Sequence, residues 1–169
     1  FTKTSFDLKS YKTFFRDDII FSSNLSSGVI FGTDADITNR FFLGGDQLKG
    51  FRNQGIGPVD NSYSNSDING DPLGGKMFTT INLETSFPIG IPEEYDVFGG
   101  VFIGAGSLWK LDNIDGGRVD DSSNIRAAAG VSLFWDTVIG PLRFNFSRPI
   151  KKETYDVIEN FRFTVDTRF

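Results

Sequence analysis

Apolar and polar residues alternate along most of this chain, most regularly near its C-terminus. In the segment 161–169, the apolar residues Phe161, Phe163, Val165 and Phe169 are spaced by arginine, threonine and aspartate. Successive side chains of a β-strand point to opposite faces, so a period of two predicts a strand with one apolar and one polar face. The segment is therefore predicted to be an amphipathic strand.

Six further segments show the same period, which brings the predicted number of strands to about seven. The connections between them are of two kinds: short turns such as 138–141, and long connections rich in Asp, Asn, Ser and Gly at 59–75 and 113–123. Short turns at one end and long loops at the other are typical of transmembrane antiparallel β-barrels. The six segments are 4–11, 19–31, 77–87, 97–108, 125–135 and 142–146.

The composition excludes several classes of function. The chain of 169 residues has no His and no Cys, which excludes His- and Cys-based catalytic sites, the usual zinc sites and disulfides. Its net charge of −5 argues against nucleic acid as a partner, because phosphate binding needs clustered Lys and Arg. No window approaches the roughly 18 apolar residues of a membrane-spanning helix. We expect no enzymatic activity and no cofactor, and we interpret a chain that begins at Phe1 as a fragment.

A soluble β-sandwich would also show alternation, and it is the main alternative to a barrel. Two features favour a membrane protein. The predicted strands have roughly 9 to 11 residues, the length that a tilted strand needs to cross a bilayer. Phe169 would place an aromatic ring at the membrane interface, where barrels carry aromatic girdles. We therefore predict an all-β fold, a portion of a transmembrane antiparallel β-barrel whose apolar face contacts outer-membrane lipids.

A glycine-rich segment at 42–58 interrupts the series of strands. Its sequence, FLGGDQLKGFRNQGIGP, places two cations around one aromatic residue. Glycines allow tight turns and a close approach of the backbone to other groups. An exposed Gly-rich turn beside a cation is a common surface feature, but this combination favours a specific packing role. The residues of the motif are Gly44, Gly45, Leu48, Lys49, Gly50, Phe51, Gly57 and Pro58.

With these residues the chain resembles the C-terminal part of the barrel of the BamA family of outer-membrane assembly factors, whose superfamily includes the mitochondrial sorting-and-assembly barrel. The family has a glycine pair, a Val-Arg-Gly-Phe/Tyr motif and Gly-Pro here; this chain has Gly44-Gly45, Leu48-Lys49-Gly50-Phe51 and Gly57-Pro58. The resemblance implies that residues 1–169 form the C-terminal portion of one barrel domain in a Gram-negative outer membrane. It also implies that residues 41–75 form a long extracellular loop that folds into the lumen.

The resemblance also implies which residues hold this loop. In the family the motif arginine meets an aromatic residue and an aspartate on a later strand, and the matching positions here are Lys49, Phe102 and Gly104, with Gly106 on the same strand. The family's charge pair cannot form, because both of its members are replaced. Lys49 is left with a cation–aromatic contact to Phe102 or a pair with Glu84, which is predicted to point inward. The hypothesis is that the loop still docks.

The function implied by the resemblance is the insertion of β-barrel client proteins into the outer membrane. The last strand, at 161–169, would border a lateral seam where a client strand is templated. Unfolded β-barrel clients, outer-membrane lipids and accessory assembly lipoproteins are the implied partners. A two-partner secretion transporter of the same superfamily and a passive pore are the alternatives within the membrane.

Two groups of charged residues receive a plainer interpretation. Residues 60–71 do not match the spacing of an EF-hand, so we predict a solvated loop without a metal ion. Several arginines and carboxylates are predicted to face the lumen, and their combination predicts a mixed-charge lumen rather than an anion-selective pore. These residues are Arg126, Arg143, Arg162, Arg168, Glu84, Asp136 and Asp166.

Overall fold

The computed structural model describes residues 1–15, 17–33, 35–62, 70–112 and 117–165. Most of them lie in β-strands, and two short 3-10 helices lie in connections, at Ile37–Asn39 and Glu93–Tyr95. The strands are β1 (Thr2–Phe14), β2 (Ile19–Phe31), β3 (Val59–Asp60), β4 (Asp71–Pro72), β5 (Met77–Pro88), β6 (Val97–Trp109), β7 (Val119–Asp120), β8 (Arg126–Thr137), β9 (Gly140–Lys151) and β10 (Phe161–Val165).

Seven of these strands form one antiparallel sheet in the order β1-β2-β5-β6-β8-β9-β10, which confirms the seven predicted strands. The three two-residue strands form a second, small sheet in the order β4-β3-β7. In the described part of the chain, β1 and β10 do not pair with each other. The large sheet is therefore open.

In the large sheet the apolar face is exposed and the polar face is buried, which is the reverse of the usual arrangement in a soluble protein. On the outer face, Val131 pairs with Phe146 and Phe146 pairs with Phe161, and each of these side chains is about half exposed. On the inner face, polar side chains such as Ser132 and Asn145 are buried. Exposed apolar side chains on one continuous face are expected where that face contacts lipid instead of water.

The predicted strand boundaries differ from the observed ones most at the first and last strands and at β9, which was predicted at 142–146 but extends over Gly140–Lys151. The first strand was predicted at 4–11 but extends over Thr2–Phe14. The alternation is masked there because the outward positions include polar Thr4, Ser10 and Lys12. The last strand is described as Phe161–Val165. The remaining predicted positions of that segment, including Asp166, Arg168 and Phe169, lie outside the described residues.

The connections of the large sheet are short at one end and long at the other. Residues 15–18, 89–96 and 138–139 form the short connections, and residues 32–76, 110–125 and 152–160 form the long ones. We refer to these ends as the turn end and the loop end.

No helix in the described residues is long and apolar enough to cross a membrane.

The buried apolar core lies between the inner face of the sheet and the long connection after β2. Full burial of such a side chain contributes roughly 1.5 to 3 kcal/mol. This core therefore fixes the connection against the sheet. Its members are Leu43, Leu48, Phe51 and Ile56 from the connection and Phe78, Leu108 and Ala128 from β5, β6 and β8.

Candidate functional site: a loop docked on the inner face of the sheet

Residues 41–58, called the docked loop below, pack on the inner face because glycines let the backbone approach the sheet. Gly50 has a φ of 95°, and a Cβ at this position would lie 2.5 Å from the Cβ of Ala128 on β8. Gly57 has a φ of 113°, and its Cβ would lie 2.5 Å from Leu108 Cδ2 on β6. A side chain at either glycine would thus both strain the backbone and displace the loop.

The remaining motif residues close the loop upon itself. Gly44 and Gly45 form a turn, and the amide of Gly45 donates to the carbonyl of Phe51 at 2.7 Å. Pro58 is buried at the end of the motif, where its carbonyl accepts from the amide of Leu73 at 2.9 Å. The backbone polar groups of the buried loop are thereby partly satisfied within the loop and its own continuation.

Two apolar side chains fix the loop to the sheet. Leu48 and Phe51 are each 0% exposed. Leu48 lies over Gly104 of β6, where an added Cβ would come within 3.2 Å of Leu48 Cδ1 and 2.5 Å of Asn82 Oδ1. Asn82 in turn donates from Nδ2 to the carbonyl of Gln47 at 2.9 Å. Gly104 therefore provides the space that Leu48 and Asn82 occupy.

Lys49, the cation of the motif, makes both of the contacts that were predicted as alternatives, one with Glu84 and one with Phe102. The ammonium of Lys49 pairs with the carboxylate of Glu84 on β5 and lies 4.5 Å from the centre of the Phe102 ring on β6. Glu84 and Phe102 are direct partners in the β5–β6 ladder. The carboxylate partner of Lys49 therefore lies on β5, next to the strand that carries Phe102 and Gly104.

Glu84 also binds a second cation. The guanidinium of Arg143 on β9 pairs with the same carboxylate and lies 4.7 Å from the centre of the Phe134 ring. Burial lowers the pKa of the Lys49 ammonium, and the charge of Arg143 lowers it further, whereas Glu84 acts in the opposite direction. One carboxylate thus pairs with two cations from two different parts of the chain, and the three groups together carry a net charge of +1 when all are ionised.

The other predicted docking residue, Gly106, lies opposite Arg126 in the β6–β8 ladder. An added Cβ at Gly106 would come within 2.8 Å of Thr80 Cγ2 on β5. Gly106 therefore leaves room for the side chain of Thr80, its partner on the inner face.

A second loop, residues 152–160, holds the docked loop from the other side, and the sequence did not predict it. The amide of Arg52 donates to the carbonyl of Val157 at 3.0 Å, and the amide of Val157 donates to the carbonyl of Gly55 at 2.8 Å. The amide of Glu159 donates to the carbonyl of Gly50 at 3.0 Å. The β9–β10 connection and the docked loop therefore form a short ladder.

A buried ion pair fixes loop 152–160 to β8. The side chains of Arg126 and Asp156 are both 0% exposed, and Arg126 Nε lies 3.0 Å from Asp156 Oδ2. Arg126 also donates to the Tyr155 hydroxyl at 3.2 Å and to the carbonyl of Asn124 at 2.8 Å. Burial raises the pKa of the Tyr155 hydroxyl. The prediction that Arg126 lines a mixed-charge lumen is therefore wrong, because its charge is enclosed by loop 152–160.

The terminal strand β10 has the predicted division of its faces. Phe163 pairs with Phe144 and Phe161 with Phe146 on the outer face, with ring centres 5.0 and 5.1 Å apart. Val165 lies on the same face, opposite Leu142. On the inner face, Arg162 lies 3.0 Å from Asp46 of the docked loop and 2.8 Å from Glu159.

The predicted solvated loop at 60–71 lies mainly outside the described residues. At its two ends, Asp60 of β3 pairs with Asp71 of β4. Among the residues that the structure describes, no group of three or more metal-ligating side chains is assembled.

Comparisons with known proteins place the chain in a family. The family model of the Omp85 superfamily domain matches residues 1–169. The chain is 28% identical over 172 residues to the outer membrane protein assembly factor BamA of Neorickettsia risticii, covering 100% of this chain and 22% of that protein. It is 27% identical over 150 residues to BamA of Neisseria meningitidis serogroup B, covering 76% of this chain and 18% of that protein.

A solved structure shows the same architecture. The crystal structure of BamA from Haemophilus ducreyi lacking POTRA domains 1–3 superposes with a TM-score of 0.79 at 27% identity, over 96% of this chain and 34% of that chain. The chain thus spans about a fifth of the two relatives and a third of the solved chain. The resemblance predicted from the motif is confirmed: the chain belongs to the Omp85 superfamily, and its sheet is part of a transmembrane β-barrel of the Gram-negative outer membrane.

Proposed function

We propose that this chain is part of an outer-membrane protein insertase and that client β-strands are templated at the free edge of β10. The observation that carries the proposal is the position of β10 at the edge of the large sheet, where it pairs with β9. In the described part of the chain, β10 has no second neighbouring strand. Unpaired backbone groups in hydrocarbon cost several kcal/mol each, so an added strand is stabilised there.

The docked loop supports the same proposal because it braces the strands beside this edge. Arg162 on β10 contacts Asp46 and Asn53 of the loop, and Lys49 connects the loop to Glu84 and, through it, to Arg143 of β9. A rigid inner support lets one edge remain unpaired without collapse of the sheet. The proposal assigns the loop a positioning role and no catalytic step.

The proposed partners follow from the chemistry of an unpaired strand edge. Unfolded β-barrel chains are the substrates, since their terminal strands can complete the hydrogen bonds of β10. Accessory assembly lipoproteins are proposed as further partners, in keeping with the assembly-factor name of the relatives.

Disulfide trapping tests this proposal in the full chain reconstituted in liposomes. A client barrel with one cysteine in its last strand is added in the unfolded state to variants that carry Thr164→Cys on β10 or Ser132→Cys on β8. We expect a cross-link at position 164 while the client folds, and none at position 132, because β10 is an edge strand whereas β8 is paired on both sides. Equal cross-linking at the two positions would contradict strand templating.

The same experiment distinguishes a secretion transporter of the superfamily. A client that is threaded through the lumen would pass the exposed side of the docked loop, so it would cross-link to Gln47→Cys in preference to Thr164→Cys. A client strand added to β10 gives the reverse preference.

A further inference from the structure

The outer face of the sheet carries a shallow groove across β8 and β9 near the loop end. Its lining includes Ala129 and Val131 on β8, Phe146 and Arg148 on β9, and Asn160 just before β10. The floor is apolar, since Val131 and Phe146 are about half exposed on the face that contacts lipid. Arg148 is the charged residue of this lining.

A β-bulge directs a second cation to the same face. Arg148 pairs with Ala129, and after a register shift Lys151 pairs with Ala127. Directly paired residues share a face, so both cations lie on the outer face with these two alanines. Residues three apart in a regular strand would point to opposite faces, and the bulge removes that difference. The two cations therefore flank one site, about 7 Å apart along the ladder.

Both cations are exposed, and neither has a carboxylate partner within the residues that the structure describes. Their level in the membrane follows from strand geometry. The outward residues of β9 start at Leu142, opposite Trp135, and end at Lys151, opposite Ala127, which is eight ladder positions and a rise of roughly 21 Å for a strand tilted by about 40°. This is most of the height of about 25 Å of an apolar barrel band. Lys151 thus lies at the interface, with Arg148 just below it.

We propose that this groove binds an anionic membrane lipid, with its phosphate between Arg148 and Lys151 and one acyl chain along Ala129, Val131 and Phe146. The charge complementarity favours a phosphate headgroup, because a cation without a carboxylate partner lies at the interface and a second lies just below it. Arginine also binds phosphate with two parallel hydrogen bonds. The apolar floor directly beneath them matches a hydrocarbon chain. This site is independent of strand templating at β10.

Lipid retention measured by native mass spectrometry tests the site. The full chain is purified in nonionic detergent and titrated with phosphatidylglycerol and with phosphatidylcholine that carries the same acyl chains. Each cation near an anionic headgroup is expected to strengthen binding about fivefold. The double variant Arg148→Gln, Lys151→Gln should therefore weaken phosphatidylglycerol binding about 25-fold and leave phosphatidylcholine binding unchanged.

Lys12→Gln is the matched control, since Lys12 is an exposed cation on the outer face of β1 near the turn end. It should leave the preference for phosphatidylglycerol unchanged, and an equal loss in this variant would overturn the proposal. Ala129→Leu fills the groove and should weaken binding of both lipids. Unchanged binding in that variant, or displacement of the lipid by inorganic phosphate, would also overturn it. Heat-modifiable migration on gels verifies that every variant is folded.

Discussion

At the scale of single residues, the attachment of the docked loop depends on Glu84. Its carboxylate pairs with Lys49 of the loop and with Arg143 of β9. Burial lowers the pKa of the Lys49 ammonium, and the nearby charge of Arg143 lowers it further, while Glu84 opposes the shift. Gly104, by contrast, contributes space for Leu48. The acid that binds the loop therefore lies on β5, and the position of Gly104 on β6 gives its space to an apolar anchor.

The variant Glu84→Gln should release the docked loop. Glutamine keeps the size of the side chain but removes the charge that both cations require, and a hydrogen bond to a charged group is worth about 1.5 to 3 kcal/mol. Limited trypsin digestion of the folded full chain measures the effect, because release exposes the bonds after Lys49 and Arg52. We expect faster cleavage there than in wild type. Glu94→Gln, at an exposed position near the turn end, is the matched control, and equal cleavage in the two variants would refute this role of Glu84.

At the scale of elements, local pattern predicted the strands but not the contacts between loops. The first part of β9 was predictable because Leu142, Phe144 and Phe146 alternate with polar residues. Loop 152–160 shows no such period, and its partners are remote in sequence: Asp156 contacts Arg126, 30 positions earlier. The inward direction of Arg126 followed from strand period alone. The burial of its charge depends on where loop 152–160 folds, and the spacing of apolar and polar residues does not predict that.

The Arg126–Asp156 pair should be the most sensitive ionic contact of the loop end. Asp156→Asn leaves a guanidinium buried without its counter-charge, and breaking a buried pair in this way costs about 3 to 5 kcal/mol. We expect a lower midpoint of urea unfolding for the full chain in detergent. The double variant Arg126→Met, Asp156→Leu removes both charges and should recover most of the loss. If the double variant is as unstable as Asp156→Asn, the pair is not what holds loop 152–160 to β8.

At the scale of the whole molecule, the sheet has a lipid-facing outer side and an inner side closed by packing. Four apolar residues of the docked loop, Leu43, Leu48, Phe51 and Ile56, are buried, and the loop is joined to β5 and β10 by ionic contacts. A passive pore needs an open, polar, water-filled interior. The combination of buried Leu48 and Phe51 with the ladder to loop 152–160 favours a plugged barrel, in which a pathway for ions opens only if the loop leaves.

Undocking the loop should therefore turn the barrel into a conducting pore. The variant Leu48→Ser, Phe51→Ser removes two fully buried apolar anchors, each of which contributes roughly 1.5 to 3 kcal/mol, while the sheet keeps all its strand pairs. Single-channel recording of the full chain in planar bilayers should show small, intermittent currents for wild type and large, sustained ones for the variant. Arg52→Gln, next to Phe51 in sequence but with an exposed side chain, should behave like wild type. A large, steady conductance in wild type would mean that the docked loop does not seal the lumen, and the passive-pore alternative would then be favoured.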